Sequence, residues 1–195
     1  MNYRPVFLTY IVRKVMESII RDTMVESLKN KFSCFQHGFM KHRSCLTNIL
    51  ESLEAWTKAL DEGYGVDVIY LDYRKAFDSV SHVWLIEKLK ILGISGELLD
   101  WISNFLHLRK MSVRVRNSFS DWVEVLRRVP QGSVLGLLLF LLFVNDLPSW
   151  IACNIRMFAD DTKIWCIIKE IDDGLILQSV LGNLVKWSEK WLLKV

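Results

Sequence analysis

Hydrophobic residues recur along most of this chain with the spacing of amphipathic helices. In residues 46–60, for example, apolar side chains fall three or four positions apart, and Gly63 follows as a plausible stop. The longest apolar run, Val134 to Val144, is interrupted only by Gly136 and predicts a buried core helix. The helices predicted in this way are residues 10–30, 46–60, 81–92, 96–107, a segment from Val134 and a last segment from Asp172.

Shorter runs rich in β-branched and aromatic residues predict strands between these helices. "VDVIYLD", residues 66–72, predicts a strand buried on both faces. "MSVRVR", residues 111–116, alternates strictly, and a turn after it leads into a second strand around residues 122–129. "NIRMFA" (154–159) and "TKIWCII" (162–168) predict a hairpin. Strand, helices, hairpin, helix and hairpin in this order predict an α+β fold.

Composition places the chain among globular proteins and gives it two basic zones. Of 195 residues, 51% are hydrophobic and 24% charged, which fits one folded domain. The net charge is +3, and the excess of positive charge lies in residues 1–45 and 109–128. Such zones suit a polyanionic partner, although solvated surface lysines and arginines explain them equally well. No signal peptide and no apolar run long enough to span a bilayer are seen. We therefore expect no membrane association and an intracellular, non-secreted protein of the cytoplasm or nucleus.

The four cysteines form neither a CxxC motif nor a dense framework, which predicts reduced thiols. Cys34, His37, His42 and Cys45 have a spacing that could supply four zinc ligands. A loop with two buried thiols is the alternative, and the sequence leaves it open.

Two pairs of adjacent aspartates have different surroundings. Asp172 and Asp173 precede a helical run, where carboxylates can accept backbone N–H bonds and face the positive end of the helix dipole. Asp160 and Asp161 lie at the tip of the predicted hairpin, between two apolar segments. Aspartate is acceptable in turns, so this position alone leaves a structural explanation open.

A third carboxylate strengthens a functional interpretation of the hairpin pair. Asp72 ends the strand "VIYLD", where a buried charge would cost several kcal/mol unless paired or bound to a cation. Strand ends of one sheet can bring Asp72, Asp160 and Asp161 together. Clustered carboxylates favour Mg²⁺, and two such ions are the apparatus for in-line displacement at phosphorus.

With these motifs in place, the chain resembles the reverse transcriptase domain of non-long-terminal-repeat (LINE-type) retrotransposons, the jockey-like and chicken-repeat-like elements. The matching segments occur in the family's order and cover nearly the whole chain: "YRPVFLT", "QHGFMKHRSCLTNIL", "VDVIYLDYRKAFDSVSH", "VPQGSVLGLLLFLLFVNDLP" and "FADDTKIW". The resemblance implies the fingers–palm part of a right-hand polymerase, with an antiparallel palm sheet flanked by helices and the thumb missing. About residues 1–65 would be fingers-like, and about 66–195 mainly palm with some fingers elements.

The resemblance also implies roles for individual residues in nucleotidyl transfer from a dNTP to a primer 3′-hydroxyl on an RNA template. It makes Asp72, Asp160 and Asp161 catalytic residues that hold two Mg²⁺ or Mn²⁺ ions, while Asp78 orders the turn after it. The substrate-binding residues that it implies are Phe77, which blocks a ribose 2′-hydroxyl, Gln131, Gly132, Arg43 and Lys41. The expected partners are RNA template, DNA primer and dNTP, and the oligomeric state is left open. Basic side chains that could bind nucleic acid are Arg109, Lys110, Arg114 and Arg116.

Four positions depart from the family pattern. Arg128 and His42 stand where family members have glycine, Leu137 stands where they have proline, and Met40 replaces an arginine. Measured against the family, we also expect the thumb, part of the fingers and an endonuclease to be missing. These departures support an alternative, a catalytically inactive retroelement remnant that at most binds nucleic acid.

Overall fold

The computed structural model describes residues 10–107, 109–125, 127–130, 132–170 and 173–194. Within them the helices are α1 (Ile11–Ser27), α2 (Cys45–Asp61), α3 (Ala76–Ser79), α4 (His82–Ile91), α5 (Gly96–His107), α6 (Val134–Val144) and α7 (Asp173–Trp191). The strands are β1 (Gly65–Leu71), β2 (Lys110–Met111), β3 (Arg114–Val115), β4 (Ser118–Phe119), β5 (Val123–Glu124), β6 (Asn154–Phe158) and β7 (Asp161–Ile168). A 3₁₀ turn spans Leu147–Trp150.

The main sheet is antiparallel and has the strand order β1-β7-β6. β6 and β7 form the predicted hairpin, and the pairing ends at Phe158 opposite Asp161. β1 runs along the other edge of β7, with Leu71 opposite Thr162 at its last pair. The ends of β1 and of the hairpin therefore meet at one end of the sheet.

Helix α6 forms the centre of the hydrophobic core, as the sequence predicts. Nearly all of its side chains are buried, so apolar residues surround it on every side. Ser133 caps its N-terminus by accepting a hydrogen bond from the Gly136 N–H at 2.9 Å. The fully buried Glu17 of α1 accepts a second hydrogen bond, from the Leu135 N–H at 3.2 Å. Together these groups fix the start of α6.

The predicted helices are present, but three expectations about strands are wrong. β1 is not buried on both faces, because it is an edge strand and only Leu71 is buried. The alternating segment 111–116 does not form one strand, since β2 pairs with β5 and β3 pairs separately with β4. The second strand expected over 122–129 is limited to β5, whose residues are exposed. A ladder of two residue pairs that does not pack on the core has no apolar face to bury. An alternating pattern therefore does not predict a long strand there.

The expectation that all four cysteines are reduced is also corrected. Cys153 and Cys166 form a disulfide, whereas Cys34 and Cys45 are free and exposed. The register of the hairpin explains the bond, because Asn154 pairs with Trp165 and the next pair outward is Cys153 with Cys166. Their Cα atoms are 5.6 Å apart, within the range that a disulfide bridges.

In the part of the chain that the structure describes, no helix has the length and apolar character needed to cross a bilayer.

Candidate active site

The two-residue turn between β6 and β7 carries the first candidate carboxylate. Ala159 and Asp160 form the turn, and Asp161 begins β7. Ala159 has a φ of 55°, a left-handed conformation that costs an L-residue roughly 1–2 kcal/mol. Asp160 is partly exposed and Asp161 is exposed. The turn thus presents two adjacent carboxylates at the end of the sheet.

Asp72 follows β1 directly and lies at the same end of the sheet. Since Leu71 pairs with Thr162, the next positions along the two strands, Asp72 and Asp161, face each other. Asp72 is exposed, so the expectation of a buried, unpaired charge is wrong. The strand register places Asp72 beside the hairpin pair, and the burial expected from the sequence plays no part in this assignment.

A cleft of about 190 Å³ adjoins the turn. Its lining residues are Phe39, Phe77, Leu137, Phe158, Ala159, Asp160 and Asp161. Phe77 is fixed by stacking on Phe140 of α6, with ring centroids 4.3 Å apart. Two of the three predicted catalytic carboxylates and the predicted substrate-contacting phenylalanine therefore share one cleft.

The chemistry of these carboxylates suits a hard divalent cation, because Asp72, Asp160 and Asp161 offer only oxygen donors. Among the described residues, however, no three His, Cys, Asp or Glu side chains already stand close enough to hold an ion. The metal site thus stays a prediction, with the register and the shared cleft in its support.

A buried segment, residues 36–38, supports the turn through contacts that the sequence did not predict. Gln36 forms a parallel bridge with Met157 of β6, and the His37 N–H donates to the Met157 carbonyl at 2.8 Å. The Gln36 side-chain oxygen accepts from the Ala159 N–H at 2.9 Å. A Cβ on Gly38 would collide with the backbone of Ala159. The sequence contains the "QHG" motif, but it does not show this contact, because Gln36 and Ala159 are 123 positions apart.

A second, larger cavity of about 800 Å³ lies between α1 and α6 and is lined by two of the predicted substrate-binding residues. Lys41 and Gly132 line it, and Phe39 and Leu137 are shared with the smaller cleft. Gln131 lies outside the described residues. Arg43 does not line either cavity; its guanidinium donates to the backbone carbonyls of Cys34 and Gln36 and so holds the loop.

Asp78 is not among the residues that line the cleft, and it pairs with Arg128, whose Nε lies 3.0 Å from Oδ1 of Asp78. Backbone bonds from Arg128 to Val80 and from Val129 to Phe77 join the same two segments. Arg128 has a φ of 108°, which agrees with the glycine that the resemblance expects there. Asp78 therefore contributes to holding residues 77–80 and 128–129 together.

The candidate basic residues differ in how accessible their side chains are to a nucleic acid. Arg114 and Arg116 are exposed on the β3–β4 hairpin, and Lys110 is exposed on β2. Arg109 is partly buried, and burial, with Arg13 nearby, lowers the pKa of its guanidinium to about 10. The hairpin therefore presents the more accessible positive charge.

The zinc arrangement is not formed by the four residues that the sequence suggests. Cys34 and Cys45 are exposed, whereas His37 is 1% exposed and its Nδ1 lies 2.9 Å from the Thr47 hydroxyl. These four residues all lie in the described part of the chain, and they do not make a metal-holding group there. The alternative of two buried thiols is wrong as well, since both are at the surface.

Asp173 accepts backbone hydrogen bonds, as the sequence predicts, although the donors precede α7 instead of lying in its first turn. Its Oδ2 accepts from the backbone N–H groups of Lys169 at 2.8 Å and Glu170 at 3.0 Å. These hydrogen bonds lower the pKa of Asp173 below its ordinary value. Its neighbour Asp172 lies outside the described residues.

Comparison with known proteins identifies the lineage of this arrangement. The family model described as "Reverse transcriptase (RNA-dependent DNA polymerase)" matches residues 1–195. The probable RNA-directed DNA polymerase from transposon BS of Drosophila melanogaster is 30% identical over 100% of this chain. The RNA-directed DNA polymerase from mobile element jockey of Drosophila funebris is 30% identical over 97% of it. The chain spans 22% of the length of each of these relatives.

Solved structures support the same fold. Apo telomerase from Candida tropicalis matches with a TM-score of 0.63 at 12% identity, covering 85% of this chain and 36% of that one. Telomerase from Candida albicans, solved with a fragment of telomeric RNA, matches with a TM-score of 0.60 at 14% identity, covering 94% and 33%. The predicted α+β fingers–palm fold and the resemblance to retrotransposon reverse transcriptases are confirmed. The division at residue 65 stays a prediction.

Proposed function

Because this chain belongs to the reverse transcriptase (RNA-dependent DNA polymerase) family, we propose that it carries the catalytic cleft of a retrotransposon RNA-directed DNA polymerase. In the reaction, a primer 3′-hydroxyl attacks the α-phosphorus of a dNTP, and pyrophosphate leaves. The observation that carries the proposal is the cleft shared by Asp160, Asp161 and Phe77, with Asp72 opposite Asp161.

Three carboxylates have the central role in this proposal. Asp72, Asp160 and Asp161 would hold Mg²⁺ or Mn²⁺, and two ions are expected. When bound, such ions supply positive charge that activates the attacking hydroxyl and stabilises the leaving oxygen. The contribution of this chain is to place the three carboxylates at one end of the main sheet, where the register brings Asp72 opposite Asp161.

The remaining side chains would select and orient the substrate. Phe77, packed on Phe140, would lie against the sugar and exclude a 2′-hydroxyl. Lys41 and Gly132, which line the adjoining cavity, suit the triphosphate and the template, and the RNA in the Candida albicans telomerase complex supports an RNA template. We propose that Arg43 acts indirectly, by shaping the loop that carries Lys41.

Primer extension tests the proposal directly. The 195-residue chain would be given an RNA template, a DNA primer, dNTPs and Mg²⁺ or Mn²⁺. We expect synthesis by the unaltered chain and a loss of at least about a hundredfold in Asp72→Asn and in Asp160→Asn. Asp67→Asn is the matched control, because Asp67 is also an exposed aspartate of the β1 segment but lies away from the hairpin turn, opposite Cys166.

Two results would contradict the proposal. Equal synthesis by all four proteins would mean a contaminating polymerase rather than this site. No synthesis together with salt-sensitive RNA binding would instead select the inactive, nucleic-acid-binding remnant. The intracellular location stays a prediction from the sequence.

A further inference from the structure

The turn that carries Asp160 is held by a residue that lies far from it in sequence. Ala159 is 4% exposed, so its N–H would be unsatisfied without a protein partner. That partner is the side-chain oxygen of Gln36 at 2.9 Å. The same oxygen also accepts from the Gly38 N–H at 2.8 Å. One amide oxygen therefore joins the "QHG" segment to the turn.

The surroundings of Gln36 make this contact rigid. Gln36 is 2% exposed, and backbone hydrogen bonds on both sides of it pair its segment with Met157 of β6. The absence of a side chain on Gly38 lets the two backbones touch at Ala159. The turn cannot shift without breaking these contacts.

The conformation of Ala159 matters because Asp160 comes next. Ala159 has a φ of 55°, which an alanine adopts only when the surrounding structure holds it there. Rotation of Ala159 toward an ordinary φ would redirect the peptide that carries Asp160 and move its carboxylate relative to the cleft. The hydrogen bond from Ala159 is thus placed where it controls the direction of a proposed metal ligand.

We propose that Gln36 is a positioning residue, whose side-chain oxygen holds Ala159 in the left-handed conformation and so directs Asp160 into the cleft. The inference rests on the proposed function of Asp160 as a metal ligand. It assigns to Gln36 no contact with substrate or metal. The acceptor oxygen is the part that matters, because the Gln36 Nε2 has no hydrogen-bond partner among the described residues.

Substitutions of Gln36 can distinguish the role of the side-chain oxygen from the role of the side-chain nitrogen. Gln36→Met keeps the length and most of the volume but removes the acceptor. Gln36→Glu keeps an acceptor oxygen, and a carboxyl group this deeply buried favours its neutral form, which is close in shape to the amide. Ser52→Ala is the matched control, because Ser52 is also fully buried, and its hydrogen bonds to Asn48 of α2 and Lys163 of β7 do not involve the turn residues.

Two measurements that need no polymerase activity test the inference. Amide hydrogen exchange at Ala159 reports the hydrogen bond, and electron paramagnetic resonance of Mn²⁺ titrated into the protein reports metal binding. In Gln36→Met we expect exchange at Ala159 at least about tenfold faster and a dissociation constant for Mn²⁺ at least about tenfold higher. In Gln36→Glu and Ser52→Ala we expect both quantities within about threefold of the unaltered chain.

The failure of this inference can be told from the failure of the proposed site by including Asp160→Asn. If Asp160→Asn loses Mn²⁺ binding while Gln36→Met keeps it, the positioning role is wrong and the metal site stands. If Asp160→Asn binds Mn²⁺ normally, the proposed metal site itself is wrong. Equal weakening in Ser52→Ala would mean general loosening and would also overturn the inference. Should Gln36→Met not fold, Gln36→Asn replaces it, because its shorter chain keeps the polarity but cannot reach Ala159.

Discussion

Two of the residues that adopt a positive φ stand at positions where the family pattern has glycine. His42 has a φ of 61° and Arg128 a φ of 108°, and the resemblance to retrotransposon reverse transcriptases expects glycine at both positions. Arg128 gains an ion pair with Asp78 at 3.0 Å, which offsets part of its strain. His42 is exposed, and the described residues offer it no hydrogen bond or ion pair. His42 therefore carries backbone strain with little compensation.

We expect His42→Gly to raise the free energy of unfolding by up to about 1 kcal/mol. Glycine removes the cost of a left-handed L-residue, which is roughly 1–2 kcal/mol. Its greater freedom in the unfolded chain lowers stability by about 0.5–1 kcal/mol and so offsets part of this gain. Urea denaturation followed by circular dichroism measures the difference. Lys41→Gly is the control, since Lys41 is also exposed but has no positive φ, and it should lower stability. A decrease in stability in both variants would show that His42 is unstrained.

At the residue scale, the sequence indicated candidate catalytic residues but not the residues that support them. Asp160 was identifiable because an adjacent pair of carboxylates stands between apolar strands, and Asp173 because it precedes a helix. Gln36 was not identifiable, because a single polar residue in a loop gives no indication of a hydrogen bond to Ala159, 123 positions away. The expected burial of Asp72 was wrong because an edge strand exposes its end.

At the scale of elements, a buried lysine joins three helical segments. Lys88 of α4 is 5% exposed, and its Nζ donates to the Phe143 carbonyl in α6 and to Asp146 Oδ1 at 2.6 Å. The Nζ also lies 3.8 Å from the centre of the Trp191 ring in α7, and Trp187 donates to Asp146 at 3.2 Å. Burial lowers the pKa of Lys88 from 10.5 to about 8, against the opposing effect of Asp146.

This pKa predicts a pH dependence of stability with a definite sign. Between pH 8 and 10.5 the unfolded chain holds a proton on Lys88 that the folded chain has released, so stability contributed by this group rises with pH there. Below pH 8 the cost of burying the charge is present in full. We expect the free energy of unfolding of the unaltered chain, relative to Lys88→Met, to increase by about 3 kcal/mol from about pH 7 to about pH 10.5.

Urea titrations at several pH values measure that relative stability. The exposed neighbour Lys90 offers the control, because Lys90→Met leaves Lys88 in place. The unaltered chain and Lys90→Met should therefore keep a constant difference over the same range. A constant difference for Lys88→Met as well would mean that Lys88 titrates at its ordinary pKa in the folded protein.

Elements with long periodic patterns were predictable, and short ones were not. The segment that became α6 is apolar at every position except Gly136, so its burial on every side was predictable. The residues of β2 to β5 alternate as strands do, but their side chains are largely exposed and their ladders contain two pairs each. Where nothing covers a ribbon, its register depends on local turns rather than on a hydrophobic pattern.

At the scale of the whole molecule, the charge distribution gives a testable preference for polyanions. The net charge is only +3, but Arg114 and Arg116 project from the exposed β3–β4 hairpin. Replacing both with glutamine should weaken binding to single-stranded RNA and reduce the slope of log K against log salt by about 1.4, or about 0.7 for each phosphate that is no longer neutralised. Fluorescence anisotropy over a range of salt concentrations measures the slope.

A charge-matched control separates local contact from net charge. Lys58→Gln with Lys186→Gln removes two exposed positive charges from α2 and α7 instead. We expect this variant to keep the slope of the unaltered chain. If the two double variants reduced the slope equally, RNA binding would depend on total charge and not on the hairpin.

The order of motifs along the chain identified the family before any contact was known. Pairings between distant segments could not be predicted in the same way, because periodicity indicates which face of an element is apolar but not its neighbour. The parallel bridge between Gln36 and Met157 is one example, and the edge position of β1 is another.

The disulfide between Cys153 and Cys166 has a practical consequence for every measurement on this protein. With the intervening residues it closes a covalent ring that contains all of β6, the turn and most of β7, and Asp160 lies on that ring. Polymerase buffers commonly contain dithiothreitol, which would open the ring at the end opposite the turn. Reductant concentration is therefore an experimental variable here, and variants should be compared at one fixed thiol concentration, with the oxidation state checked by mass spectrometry.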